Sequence, residues 1–188
     1  MKIPPIKILE GNNIKLQPFS KDLISNKYLN WINDKDINRF IDKANNKTSL
    51  DDLNFFVESM MESDCDYFFA IIHKKKKCHI GNVRLGTIDF HFKKSNFGIL
   101  IGDKRFQGYG LATEVLELIK DFGFNYLKLD KIHFPVVKEN TAAMKLYAKT
   151  NFTCLGEIKK TLNKNKKSWK LVEWSMSNLD YEKEIKNG

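Results

Sequence analysis

A glycine-rich segment lies between a predicted strand and a predicted helix. It reads Gly98-Ile-Leu-Ile-Gly-Asp-Lys-Arg-Phe-Gln-Gly-Tyr-Gly-Leu-Ala-Thr113, and the helix begins near Leu111. The first turn of a helix exposes unpaired N–H groups and a partial positive charge, which together suit a phosphate. Gly108 and Gly110 lack side chains that would block a close approach. The segment therefore predicts a phosphate-binding loop, and the alternative is a plain glycine-rich turn.

Two common nucleotide loops do not fit this segment. A Walker A loop requires G-x-x-x-x-G-K-[ST], which does not occur here. A dinucleotide fingerprint requires a third small residue where Thr113 stands. It also requires an acid roughly 20 residues on, and Asp130 precedes a strand instead of ending one.

A second pair of chemically useful residues lies downstream. Asn140 and Tyr147 are seven residues apart in a predicted helix over 140–150. Asn is a favourable N-cap, and seven residues make about two helical turns, so both side chains lie on nearly the same face. They can line one groove, although packing in the core is the alternative role for Tyr147.

The remaining chain supplies the elements that must position these residues. The predicted order is strand, helices, three strands, helix, strand, helix and two strands. The predicted elements are strands 12–19, 67–73, 79–90, 95–102, 131–137, 152–162 and 168–177, and helices 20–31, 34–40, 48–61, 111–127 and 140–150. This order predicts an α/β domain whose mixed, mostly antiparallel sheet has six or seven strands and about four helices. Strand 131–137 follows a helical crossover, so we expect it to run parallel to strand 95–102.

Length and composition favour one domain. The 188 residues suit a single unit, with an ordered core over about 12–177 and a polar tail over 178–188. The three cysteines, Cys65, Cys78 and Cys154, suggest neither a disulfide framework nor a metal site. The opening MKIPPIK has no apolar signal core, and no apolar run approaches the ~20 residues of a membrane helix. We therefore expect a cytoplasmic protein with no membrane partner and no metal.

Both motifs resemble those of one family. Arg105-x-x-Gly108-x-Gly110 resembles the [QR]-x-x-G-x-[GA] signature of GNAT acetyltransferases. The segment 140–152 resembles that family's N-x-x-[AS]-x-x-[LF]-Y-x-[KR]-x-G-F pattern, with Asn151 in place of glycine. The resemblance spans about 12–177 and implies the GNAT fold, acetyl-CoA as co-substrate and direct transfer of its acetyl group to a primary amine.

The resemblance also implies roles for individual residues. Tyr147 would protonate the leaving thiolate, and a backbone N–H near Leu100 or Ile101 would stabilise the oxyanion in a gap beside strand 131–137. The general base is expected to be Asp89 or His91 at a strand end, where an ordinary turn residue is the alternative. The residues expected to contact coenzyme A are Leu100, Ile101, Gly102, Arg105, Gln107, Gly108, Tyr109, Gly110, Leu111, Ala112, Thr113, Asn140 and Lys149.

The N-terminal half is expected to shape the acceptor pocket. Segments 28–34 and 79–89 resemble a subset of the superfamily that acts on nucleotide-linked amino sugars in surface-glycan pathways or on ribosomal proteins. Trp31 would stack on a sugar or base, and Arg84 would contact a phosphate. Packing in the core is the alternative role for Trp31, and a position on a solvated strand face is the alternative for Arg84.

Charge helps to order the acceptors. The net charge of +9 favours an anionic nucleotide sugar and argues against a polyamine, which would need a local acidic pocket. A protein N-terminus is the other enzymatic alternative. A basic nucleic-acid-binding module is not favoured, because the basic clusters 74–77 and 159–167 fall in predicted hairpin turns. A homodimer is left open.

Overall fold

The computed structural model describes residues 7–41, 47–164 and 167–187. Its strands are β1 (Leu9–Glu10), β2 (Ile14–Pro18), β3 (Tyr67–His73), β4 (Cys78–Asp89), β5 (Lys94–Ile101), β6 (Lys131–Val137), β7 (Thr153–Lys164) and β8 (Lys167–Ser177). Its α-helices are α1 (Asn26–Asn33), α2 (Leu50–Met61), α3 (Leu111–Asp121), α4 (Thr141–Lys149) and α5 (Asn178–Asn187).

The strands form one mixed sheet in the order β1-β2-β3-β4-β5-β6-β8-β7. Every neighbouring pair is antiparallel except β5 and β6, which are parallel as predicted. The described residues of β5 and β6 pair at two positions, Lys94 with Lys131 and Ser95 with Ile132. Beyond these positions the two strands separate, so the sheet splits along its length. The α/β prediction is confirmed, with eight strands in the described residues where six or seven were expected, because the short β1 was not recognised.

Two hydrophobic clusters lie on opposite faces of the sheet. Alternate residues of β3 divide between them, since successive side chains of a strand point to opposite faces. Phe69 and its neighbours face α3 and α4, whereas Phe68, Ala70 and Ile72 face α1 and α2. On β5, Phe97 belongs to the α3 face and Leu100 to the α1 face. The helices therefore cover both faces and leave the split between β5 and β6 accessible.

The predicted starts of the first helices need correction. Ser20 precedes a short 3-10 turn over Lys21–Leu23, and α1 begins only after Ser25, whose Oγ accepts from Tyr28 N. The predicted helix over 34–40 is instead a run of turns in its described residues. Helix α2 has the predicted capping box one residue later, because Ser49 and Asp52 exchange its hydrogen bonds. More than one polar residue near the start of a helix can serve as its N-cap, so the packing of the helix decides which residue does.

The C-terminal segment was predicted as a polar tail and instead forms α5. Ser177 and Asp180 exchange hydrogen bonds at its start, and Tyr181 is buried against Phe124. Glu184 accepts a hydrogen bond from the fully buried ammonium of Lys120 at 2.7 Å. One apolar residue and one buried charge therefore hold a polar helix in place. Gly188, and residues 165 and 166 in the predicted basic turn, lie outside the described residues. Across the described ranges no helix is long and apolar enough to cross a membrane.

Candidate active site

The separation of β5 from β6 opens a cleft of about 1060 Å³. Its walls are the ends of these two strands, the glycine-rich loop with the start of α3, and one side of α4. An elongated ligand can therefore lie between the strands with one end at the N-terminus of α3. The predicted splay of the sheet occurs here because pairing between β5 and β6 stops after Ser95 and Ile132.

The glycine-rich loop leaves the N-terminus of α3 open. Gly108 and Gly110 adopt φ values of +82° and +78°, a region that residues with a Cβ rarely adopt. A Cβ built on either glycine meets no heavy atom within 4 Å, so both positions face open space. Gly110 is the N-cap of α3 and provides no side-chain hydrogen bond to the first turn. The unpaired N–H groups of Leu111 and Ala112 are thus available to an anion.

The backbone at the end of β5 also faces the cleft. Gly102 N donates to Ile80 O at 2.9 Å, so the backbone groups of Gly102 point towards β4. Because these directions alternate along a strand, the N–H and C=O of Ile101 point away from β4. By the same alternation the backbone groups of Ile99 face the gap, whereas those of Leu100 are directed at β4. Sequence reasoning named Leu100 or Ile101 as the backbone donor, and the strand register favours Ile99 and Ile101.

Helix α4 presents Asn140 and Tyr147 to the cleft, as their spacing predicts. Asn140 caps the helix, and its Oδ1 accepts from Ala143 N. The ring of Tyr147 packs among four aromatic rings, those of Phe97, Phe134, Phe152 and Trp174. This burial raises the pKa of Tyr147, because desolvation disfavours the phenolate. The phenol therefore stays protonated at neutral pH and can act as a proton donor.

Basic side chains dominate the charge along the cleft. Lys145, Lys149 and Lys160 line it, and Asp36 is the one carboxylate among its described lining residues. Asp36 is itself exposed and pairs with Lys104 at 3.1 Å. The cleft therefore favours an anionic ligand.

The structure brings most of the predicted coenzyme A contacts together. Those that line the cleft are Leu100, Ile101, Gln107, Gly108, Gly110, Leu111, Ala112, Thr113, Asn140 and Lys149. Three others do not line it. Tyr109 points to solvent, and a Cβ on Gly102 would lie 2.2 Å from the Trp31 ring. Arg105 forms an ion pair with Asp103 at 2.7 Å.

The two residues predicted as general base lie at the wrong end of the sheet. Strand β4 runs antiparallel to β5, so Asp89 at its end pairs with Lys94 at the start of β5. The cleft begins at Phe97 of β5, and neither Asp89 nor His91 is among its described lining residues. Asp89 Oδ1 instead accepts from the backbone N–H groups of His91 and Phe92 in the turn. The structure therefore gives both residues a turn-forming role.

The two predicted acceptor residues are also engaged elsewhere. Trp31 is buried and packs edge-on against His79 at a ring distance of 5.0 Å. Arg84 forms an ion pair with the buried carboxylate of Asp66 and donates to Thr87 at 3.0 Å. Trp31 thus follows its core-packing alternative, whereas Arg84 follows neither expectation, because it pairs with a buried carboxylate instead of lying on a solvated face.

One candidate pair was missed. His133 Nδ1 lies 2.7 Å from Glu173 Oε1, and both side chains are partly exposed beside the split in the sheet. They are 40 residues apart in sequence. Only the pairing of β6 with β8 brings them together. No local motif signals such a pair.

Comparison with known proteins identifies the domain. Residues 13–153 match the family described as "Acetyltransferase (GNAT) domain". The chain is 38% identical over 78 residues to a spermidine N(1)-acetyltransferase of Escherichia coli, a match that covers 42% of this chain and 41% of that protein. The chain therefore spans about two fifths of the length of this relative. A probable N-acetyltransferase of Bacillus subtilis, YjcK, is 30% identical over 108 residues, which cover 57% of this chain and 60% of that protein.

Solved structures share the fold. A spermidine N-acetyltransferase from Vibrio cholerae in complex with CoA and spermine superposes with a TM-score of 0.80 at 23% identity, over 90% of this chain and 98% of that chain. RimL, a ribosomal alpha-N-protein acetyltransferase in complex with coenzyme A, superposes with a TM-score of 0.81 at 14% identity, over 91% and 98% of the two chains. At these identities the likeness establishes the fold.

Proposed function

The chain belongs to the GNAT acetyltransferase family, and we propose that it transfers the acetyl group of acetyl-CoA to a primary amine of a small molecule. The observation that carries this proposal is the joint placement of an open helix N-terminus and a buried, protonated phenol in one cleft. The first feature suits a pyrophosphate, and the second suits a leaving thiolate. The two features lie at positions that an elongated thioester can span.

The residues of the cleft fit coenzyme A. The N–H groups at the start of α3 would hold the pyrophosphate, and the two loop glycines leave room for its approach. Lys145 and Lys149 add positive charge beside the cleft. The backbone groups of Ile99 and the N–H of Ile101 would pair with the amide-containing arm, since Ile101 O already accepts from Gln107 Nε2 at 2.8 Å. When bound, the thioester supplies an activated acyl group.

The chain's own groups account for two further requirements of the reaction. A backbone N–H on the gap side of β5 would donate to the carbonyl oxygen as negative charge develops there. Tyr147 would give its proton to the departing sulfur, as the family resemblance implies. Burial raises the pKa of the phenol, and removal from water also raises that of a thiol, so the two groups are affected in the same direction.

We further propose that the acceptor is an amino group on an anionic small molecule, such as a nucleotide-linked amino sugar. The support is electrostatic: the chain carries a net charge of +9, and the described cleft residues include three lysines and one exposed carboxylate. A polycation would be repelled by this field, whereas a nucleotide diphosphate would be attracted. The ion pair of Arg84 with Asp66 removes the phosphate contact first expected for this acceptor, so the support rests on the overall positive field.

A polyamine acceptor is the second candidate. The E. coli relative and the V. cholerae structure are both named as spermidine acetyltransferases, which favours this class. A protein N-terminus, suggested by the likeness to RimL, is the third candidate.

Release of free thiol from acetyl-CoA tests these proposals. The amines to compare are UDP-glucosamine, spermidine and a short peptide with a free N-terminus. Turnover of the nucleotide sugar alone supports the first acceptor, and turnover of spermidine alone overturns it in favour of the second. Saturable acetyl-CoA binding without turnover of any amine would support the cofactor site and refute all three acceptor classes.

A further inference from the structure

His133 and Glu173 form a hydrogen-bonded pair on adjacent strands. His133 Nδ1 lies 2.7 Å from Glu173 Oε1, and the two side chains are 37% and 19% exposed. An ionised carboxylate only accepts hydrogen bonds, so Nδ1 must be the donor. When the ring is neutral, this arrangement leaves the lone pair on Nε2, which is the ring nitrogen directed away from the carboxylate.

The pair lies where the sheet begins to split, at the margin of the cleft: neither side chain lines it, and the residue after His133, Phe134, does. Ser95 and Ile132 form the second registered pair of β5 and β6. Ile132 belongs to the cluster on the α3 side, and Ser95 lies on the same side as Phe97, two residues further along β5. The next residues along, Asn96 and His133, therefore face each other across the opening on the α1 side. Phe134, the residue after His133, faces the other side, where its ring centroid is 4.6 Å from that of Tyr147. His133 and Tyr147 thus approach the split from opposite faces.

The α1 face is open at this point. Gly98, two residues after Asn96, is exposed, and a Cβ built on it meets no heavy atom within 4 Å. A larger side chain here would cover the entry to the gap. An acceptor amine can therefore reach the gap from the face that carries His133 while the thioester occupies the gap itself.

Two other titratable groups on this face, Asp66 and His79, are committed to structural contacts. Asp66 is buried and accepts from Arg84, Ser63 and Thr87 N. His79 lies among the rings of the α1 cluster and binds Gly81 O and Asn82 Oδ1 through Nε2. Glu173 is the partner that orients a partly exposed imidazole at the gap.

We propose that His133 is the general base of the acetyl transfer and that Glu173 is its positioning residue; this proposal rests on the function proposed above. The acceptor ammonium must lose two protons in all. His133 Nε2 takes the first and passes it to solvent, which frees the lone pair that forms the N–C bond as the C–S bond breaks. The sulfur takes a proton from Tyr147, and the second proton of the amine restores that phenol. The products are an amide, a free thiol and one released proton.

The test compares three variants of the full chain, His133→Gln, Glu173→Gln and Lys131→Gln, with UDP-glucosamine and spermidine as probes. Lys131 is the matched control, because it lies exposed on the same face of β6, two residues before His133. We expect His133→Gln to lower kcat roughly 10²-fold, which is the lower end of general-base effects, with an unchanged KM for acetyl-CoA. Glu173→Gln should lower kcat about tenfold, and Lys131→Gln should leave it unchanged.

Chemical rescue separates a catalytic from a structural role. Added imidazole should restore part of the turnover of His133→Ala, because a free base can replace the missing ring. Absence of rescue, or wild-type kcat in His133→Gln, overturns the proposal for this pair while leaving the acetyltransferase function intact. Absence of turnover by the wild-type protein with UDP-glucosamine, spermidine and the peptide overturns the proposed transfer to these acceptors, and the role of the pair with it.

Discussion

Replacing Tyr147 by Phe tests the proposed proton donor with little disturbance of the fold. The ring of Tyr147 contacts four aromatic rings and is about 6% exposed, and Phe preserves this ring while removing the hydroxyl group. If the phenol protonates the leaving sulfur, kcat should fall roughly 10²-fold, since general acids contribute that much or more. This corresponds to a rise of about 2.7 kcal/mol in the activation free energy.

The assay is thiol release at saturating acetyl-CoA, together with a binding measurement on the same samples. The Kd for acetyl-CoA should change little, because the hydroxyl acts on the departing group. Burial raises the pKa of Tyr147, so the wild-type phenol remains protonated at pH 7 and at pH 9. The deficit of the variant should therefore be similar at both pH values. A matched control is Tyr181→Phe, since that tyrosine is also buried but packs against Phe124 beneath α5.

A wild-type turnover rate in the Tyr147→Phe variant would contradict the proton-donor role of this phenol. In that case the sulfur would leave as a thiolate or take its proton from water, and Tyr147 would be a packing residue. An equal loss of turnover in Tyr181→Phe would also refute it, because the loss would then follow from disturbed packing in general.

The other predictions concern the glycine-rich loop, His91 and the ion pair of Arg105 with the buried carboxylate of Asp103. Gly108→Val should weaken acetyl-CoA binding at least tenfold, because valine is strained at a φ of +82° and would project into the cleft; Gly156→Val, strained at +99° outside it, should keep the wild-type Kd. His91→Ala should retain wild-type kcat, and a large loss would reinstate the sequence-based assignment. The hydrogen bond from Arg105 holds the pKa of Asp103 well below its usual range. Its stabilisation is therefore present at pH 7 and lost as acid protonates the carboxylate below about pH 4, so Asp103→Asn should lower Tm at pH 7 and converge with wild type in acid.

Sequence reasoning worked best where the chemistry is local. The glycine loop and the Asn140–Tyr147 spacing each lie within one strand–turn–helix or one helix, so neighbouring residues determine their geometry. The parallel pairing of β5 with β6 could also be predicted, because a helical crossover requires it.

The missed features depend on which strands become neighbours. Asp89 was placed near the reaction centre because the direction of β4 relative to the cleft is set only by the completed sheet. Arg84 pairs with Asp66, 18 residues upstream, and His133 pairs with Glu173 on the neighbouring strand β8. Hydrophobic periodicity predicts that such residues lie on a strand face, but it does not predict which side chains of the neighbouring strands they contact.

The split between β5 and β6 divides the backbone hydrogen-bond network into two sub-sheets, joined at two registered positions. The remaining connection between them is made by side chains packed beneath α3 and α4. A pantetheine arm in the gap would behave like a missing strand, offering amides to both edges at once. Binding of such an arm would therefore be a form of sheet completion, because the facing backbones of β5 and β6 are two strand edges that the fold keeps apart from each other.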